Sequence, residues 1–280
     1  MHNNESHAGD IEQKKRFRFG KNWRNFLSQL TEARKAEAEK SLRELLEVDT
    51  LEGKTFLDIG SGSGLFSLAA ARMGAKVRSF DFDPQSVACT SDLKNSFAQR
   101  DNSWEVSEGS ILDQAFVDSL EQHDIVYSWG VLHHTGDMWT AIDNAQSLVS
   151  PGGKLIIALY NDQGFKSRLW TKLKKTYVQS SPFFKKVILY SMVAGMETMY
   201  ATARAINGKN PLPFKEWKEY QKNRGMSKWY NYIDWIGGYP FEVSRPEEVF
   251  NHLRAKGFQL EHLITCGGGH GCNEFVFVKK

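Results

Sequence analysis

The chain has 280 residues, of which 41% are hydrophobic and 25% charged, and it carries a net charge of +3. This is the composition of a soluble globular protein built as one large domain or as one domain with a sizeable insertion. The charge is too small to imply a partner by itself. Three cysteines, Cys89, Cys266 and Cys272, lack metal-type spacing and read as reduced thiols of a cytoplasmic protein. The polar start MHNNESHAGDIEQ has no signal-peptide core, and the most apolar run, 187–196, is far shorter than the roughly 20 residues that span a bilayer.

Residues 1–15 read as disordered, followed by a helical cap over 16–50. There Trp23, Phe26, Leu27 and Leu30 fall at helical spacing, and a second pattern carries Leu42, Leu45 and Leu46. Alternation begins next: strand TFLDIG, a helix over about 64–73, strand KVRSFDF, and a helix opening near Pro84. Strands SWEVSEGSI, DIVYSWG and SPGGKLIIALYND follow, with helices between them. Residues 51–162 therefore read as a parallel, doubly wound α/β core. The rhythm stops over 163–242, a helical insertion, and resumes over 243–280. That last part holds a helix with a Ser-x-x-Glu-like cap at Ser244 and two strands joined by GGGHG as a hairpin. The expected fold is a seven-stranded, mostly parallel sheet with a reversed last strand.

FLDIGSGSGLF runs from a strand through a glycine turn into a helix. The third glycine arrives one residue earlier than in a dinucleotide fingerprint, and Asp58 stands just before the first. A carboxylate there suits hydroxyl and ammonium groups better than a diphosphate. A second acid, Asp81, ends the next strand 23 residues later, the distance of one β-α-β step.

Taken in order, these features resemble the class I S-adenosylmethionine-dependent methyltransferases, nearest to the ubiquinone-biosynthesis O-methyltransferase branch. The resemblance implies a Rossmann-like methyltransferase fold with S-adenosyl-L-methionine as cofactor. It puts Asp58, Gly60, Ser61, Gly62 and Gly64 under the methionine part, Asp81 on the ribose hydroxyls and Phe82 on an adenine edge. Ser110 and Ile111 fall at the adenine, where many relatives carry an Asp in place of Ser110, and Trp129 and Gly130 close over the methionine moiety.

Methyl transfer demands in-line alignment and, for a hydroxyl or ammonium acceptor, a base. VLHHTGD offers His133 and His134, and the hairpin offers His270; each has a structural alternative as a cap, packing or turn residue. Tyr160, Asn161, Asp162, Gln163 and Tyr239 are candidates for the acceptor pocket. Phe19 and Trp23 read either as a lid over the cofactor or as core. No metal-ligand spacing occurs, so no metal is expected.

Between residues 162 and 230 stand 14 Lys and Arg against 4 acids, an excess larger than that of the whole chain. Three readings compete: a helical substrate lid, a membrane-surface contact toward an anionic or lipid-linked acceptor, and, ranked lowest, RNA binding. The expected activity is methylation of a small-molecule acceptor, at oxygen first. The alternatives are a tRNA or RNA methyltransferase and a non-catalytic scaffold that binds the cofactor.

Overall fold

The computed structural model describes residues 9, 15–28, 30–97, 104–213, 217, 228–267, 269 and 271–280. The strands are β1 (Thr55–Ile59), β2 (Lys76–Asp81), β3 (Trp104–Glu108), β4 (His123–Trp129), β5 (Val149–Tyr160), β6 (Phe258–Ile264) and β7 (Cys272–Lys279). They form one sheet in the order β3-β2-β1-β4-β5-β7-β6. The first five are mutually parallel, and β7 runs antiparallel to both β5 and β6. The reversed last strand expected from the sequence is therefore present, inserted between β5 and β6.

Period two along the strands sends neighbouring side chains to opposite faces. Leu57, Val126, Leu155 and Ile157 enter one core, covered by α6 (Met138–Ser147) and α10 (Pro246–Ala255). Phe56, Tyr127 and Ile156 enter the other, covered by α2 (Glu32–Leu46) and α3 (Leu65–Arg72). Because both faces are covered, the centre of β5 is an unbroken apolar run, fully buried from Leu155 to Leu159.

The order reverses between β1 and β4, and α/β sheets bind ligands outside the carboxyl ends of the strands at such a point. Two additions overhang it. From the amino-terminal side comes α1 (Phe19–Leu27), whose Gly20 N–H donates to Asp83 Oδ2 at 2.7 Å, while Asn22 Nδ2 donates to Asp234 Oδ1 at 2.8 Å. The other is the insertion after β5: α7 (Phe165–Gln179), α8 (Pro182–Ile206) and α9 (Lys228–Gly237). These three meet through Tyr177, Val178, Leu189 and Ile236. Along the 25 residues of α8, Leu189 is the one buried side chain. No helix among the described residues is long and apolar enough to cross a membrane.

The cap of α10 lies one residue later than the Ser-x-x-Glu pattern suggests. Arg245 is the N-cap, and Glu248 accepts from its backbone N–H at 2.9 Å and pairs with its guanidinium at 2.8 Å. Ser244 is instead consumed by backbone pairing, its N–H donating to the Tyr160 carbonyl at 2.9 Å. The disorder expected over 1–15 falls largely outside the described residues.

Replacing Phe277, which is fully buried, by alanine should remove about 3–5 kcal/mol of stability, whereas Glu248→Ala should remove about 0.5–2 kcal/mol. Chemical denaturation of both variants checks this order, and equal losses would contradict the cap assignment.

Candidate active site

Register places the two acids together. Ile59 pairs with Phe80 across the parallel strands β1 and β2, so the glycine turn and the tip of β2 end at one level. Asp81 Oδ2 accepts from Gly62 N–H at 2.9 Å, and its Oδ1 accepts from Asp83 N–H at 2.9 Å. Each oxygen keeps acceptor capacity for a ligand hydroxyl. Asp58 is buried and takes a 2.5 Å hydrogen bond from Ser67 Oγ. Burial pushes both carboxyls up, Asp58 to about 7 and Asp81 to about 6, and the charge of Asp81 raises Asp58 further.

Gly62 has φ +57°, and a Cβ there would stand 2.9 Å from Trp23 Nε1. The indole of Trp23 thus lies against the bare turn. Trp23 also packs edge-on to Phe26, 6.0 Å away, so this residue touches both the turn and the core.

A cleft of about 2530 Å³ opens here, well beyond the roughly 300–1,000 Å³ of a pocket for one ligand. Asp58, Gly60, Ser61, Gly62, Asp81, Phe82, Ser110, Ile111, Trp129 and Gly130 all line it. Gly64 does not; its Cα faces Thr90 and opens α3. Gly130, at φ +74°, has nothing within 4 Å of where a Cβ would project, which leaves backbone open to a ligand. Ile111 is buried, with its carbonyl held by Asn144 Nδ2 at 2.7 Å. Arg16 crosses above, its guanidinium 5.1 Å from the Phe82 ring and 2.7 Å from the His134 carbonyl.

On the far side, His134 lines the cleft and its Nδ1 lies 2.5 Å from the Pro240 carbonyl. A carbonyl oxygen can only accept, so Nδ1 carries the proton and Nε2 keeps its lone pair. Burial holds the ring neutral by lowering it to about 3. Gly238 leaves room beside Nε2: an added Cβ would stand 3.3 Å from it. His133, expected to share the catalytic role, lies behind the cleft wall and is fully buried. Its Nδ1 lone pair is consumed by the Tyr160 N–H at 3.2 Å, and its ring packs 3.9 Å from that of Tyr160. His270 lies outside the described residues.

Of the acceptor-pocket candidates, Tyr160 and Tyr239 line the cleft, and the polar run after Tyr160 does not. Asn161 accepts from Asn273 Nδ2 at 3.0 Å and donates its N–H to the Gly271 carbonyl; Asp162 accepts from Gly164 N–H at 2.8 Å; Gln163 N–H donates to Ser167 Oγ at 2.8 Å. Their polarity closes the loop that launches α7.

Sequence reasoning missed Lys174. It is fully buried, donates to the Trp235 carbonyl, and sits 4.7 Å from the rings of both Trp235 and Phe241. Burial lowers it to about 7. Nothing in the sequence separates it from its neighbours Lys172 and Lys175. No group of three metal-ligating side chains stands together among the described residues.

A profile of the family described as "Methyltransferase domain" matches residues 30–233. Ubiquinone biosynthesis O-methyltransferase from Coxiella burnetii is 31% identical over 132 residues, covering 46% of this chain and 53% of that protein. The Brucella melitensis protein of that name is 32% identical over 111 residues, covering 40% of this chain and 43% of its own. The chain thus spans about half the length of the curated relatives it matches. Magnesium protoporphyrin IX methyltransferase from Synechocystis PCC 6803, solved with bound S-adenosylhomocysteine, shares the fold at a TM-score of 0.51 and 14% identity, covering 88% of this chain and 83% of that one. With the glycine turn, the paired acids and the 3-2-1-4-5-7-6 sheet, these matches establish that the chain belongs to the methyltransferase domain family, with a class I fold and S-adenosyl-L-methionine as its cofactor.

Proposed function

We propose that the protein methylates an oxygen of a small-molecule acceptor, held between the strand ends and the insertion. The observation that carries this reading is His134: a neutral imidazole on the cleft wall whose tautomer is fixed by Pro240, leaving Nε2 as an acceptor.

When bound, S-adenosyl-L-methionine supplies a methyl group on a positively charged sulfur, which passes to the acceptor oxygen as the carbon–sulfur bond breaks and S-adenosylhomocysteine is left. Asp81 holds the ribose hydroxyls through the lone pairs its backbone partners leave free. Asp58 and Asp81 together favour a cationic ligand over a phosphate. Trp23, Phe19 and Arg16 line the cleft on its upper side. His134 Nε2 takes the acceptor proton as the oxygen lone pair is drawn into the new bond. The hydroxyl is strongly acidic at that point, so a weak base is enough.

His134→Ala should lower turnover about 10²-fold or more, with S-adenosylhomocysteine affinity changed less than about threefold. The assay uses labelled S-adenosyl-L-methionine with fractionated cell extract as the source of acceptor. Small, equal effects on turnover and affinity would leave His134 a packing residue.

The acids give a pH signature. A carboxyl raised to about 7 or about 6 is charged above that value and loses its charge as pH falls through it. Calorimetry should therefore show S-adenosylhomocysteine affinity falling between pH 8 and pH 5, by up to about tenfold per unit between pH 7 and 6 and up to about a hundredfold per unit below pH 6. Asp81→Asn should bind weakly and lose the steep part of that dependence. His134 adds nothing in this range, because it stays neutral down to about 3. A pH-independent affinity would remove both acids from cofactor binding.

The outer end of α8 favours contact with an anionic membrane surface. Phe183 and Phe184 are 70% and 59% exposed, Val187 and Tyr190 are also exposed, and Lys185 and Lys186 lie between them. Vesicles of phosphatidylglycerol should co-sediment the protein, and Phe183→Asp with Phe184→Asp should abolish this. Retention of the double variant, or binding to tRNA in its place, would contradict the contact.

A further inference from the structure

The insertion side of the cleft differs from the cofactor side in charge and in shape. Lys175 from α7 and Arg204 and Lys209, at and just beyond the end of α8, line it. Behind this wall, Glu197 is already engaged: Lys228 pairs with it at 2.8 Å and Tyr232 Oη donates to it at 2.7 Å. Asp234, which also lines the cleft, accepts from Asn22 Nδ2 at 2.8 Å, and burial pushes it up to about 7. Glu242, deeper in the cleft, accepts the Gly136 and Met138 N–H groups at 3.0 and 3.2 Å. This side of the cleft thus carries Lys175, Lys209 and Arg204, the last also donating to the Pro211 carbonyl at 2.8 Å, while Asp234 and Glu242 accept hydrogen bonds from the chain itself.

A second feature adjoins it. An apolar recess of about 250 Å³ lies between α7 and α8, walled by Trp170, Met192, Met199 and, shared with the main cleft, Met196 and Tyr200. Helical spacing makes the junction: Met196, Tyr200, Ala203 and Asn207 recur at three to four residues and present one stripe to the cleft. Methionines supply a soft, adaptable wall for a flexible apolar group. The recess opens beside the cations, so one ligand can meet both.

We propose that the methyl acceptor is an amphiphilic anion: a hydroxylated compound whose carboxylate or phosphate meets Lys175, Arg204 and Lys209 and whose apolar chain enters the Met-lined recess. The assignment rests on the methyltransferase reading and specifies its substrate class. The positively charged donor, bound alongside, adds to the attraction for an anion.

The test is calorimetry on the full chain saturated with S-adenosylhomocysteine, using decanoate, decyl phosphate, decyltrimethylammonium and inorganic phosphate, each below its micellar concentration. At least one of the two anionic decyl probes should bind, and the one that binds more tightly identifies the head group as carboxylate or phosphate. Decyltrimethylammonium and inorganic phosphate should bind at least tenfold more weakly than that probe. Lys175→Glu combined with Lys209→Glu, two exposed positions away from the core, should weaken the better anionic probe at least tenfold and leave S-adenosylhomocysteine binding unchanged. Met196→Asp should weaken decanoate more than hexanoate. Equal binding of the cationic probe, or an unaltered anionic probe after charge reversal, would overturn the proposal while the methyltransferase reading stood. A wild-type chain that fails to bind S-adenosylhomocysteine at all would overturn that reading instead.

Discussion

Two carboxylates at the carboxyl ends of adjacent parallel strands, Asp58 buried and Asp81 half-buried, are the constraint from which the rest of the site follows. Register puts Asp58 and Asp81 at the same end of β1 and β2, and the low-dielectric surroundings penalise both charges. Backbone amides and the Ser67 hydroxyl offset part of that cost. A glycine turn is needed because one of those amides, Gly62 N–H, must reach the Asp81 carboxylate while the turn adopts a positive φ. What remains uncompensated is negative charge facing a cleft, and a positively charged ligand relieves it. The proposed preference for a sulfonium over a diphosphate is in this sense a consequence of burial.

The second half of the site is organised by one short turn. Tyr239 and Pro240 are consecutive, and their carbonyls do different jobs: Tyr239 receives the Phe17 N–H at 2.9 Å, and Pro240 receives the His134 Nδ1–H. The amino-terminal segment and the His134 imidazole thus hang from adjacent peptide groups beyond the end of α9. Lys174 secures that end from below. A cation against a carbonyl in the last turn of a helix is favoured by the helix dipole, and the Trp235 and Phe241 rings replace part of its lost hydration. Movement of the insertion would therefore shift lid and imidazole together.

The strands, the reversal of the last one and the glycine turn were legible in the sequence because they rest on local rules: period two, glycine at a turn, and an acid one β-α-β step away. Residues whose roles depend on three-dimensional direction were not. His133 and His134 are neighbours with the same chemistry, and a short 3₁₀ turn from Leu132 to His134 sends one behind the wall and the other onto it. The polar run from Asn161 to Gln163 has the composition of a binding loop, yet every one of these residues is spent on chain closure. The cap of α10 shifted by one residue because Ser244 pairs with β5 and Arg245 was free to take the position. Lys174 resembles any solvated lysine until packing surrounds it with rings.

The basic insertion shows why a charge count cannot choose between a lid and a docking surface. A 25-residue helix is about 38 Å long, so its two ends meet different surroundings. Near its carboxyl end, Met196, Tyr200 and Arg204 face inward along one stripe and belong to the cleft. Near its amino end, Phe183, Phe184 and Tyr190 point into solvent beside Lys185 and Lys186. Both ends read alike in sequence, apolar with basic residues. The difference comes from α7 and α9, which cover α8 on one side only and leave Leu189 as its single buried residue. A surface that meets an anionic membrane and a cleft that accepts amphiphilic anions would then occupy the two ends of one helix.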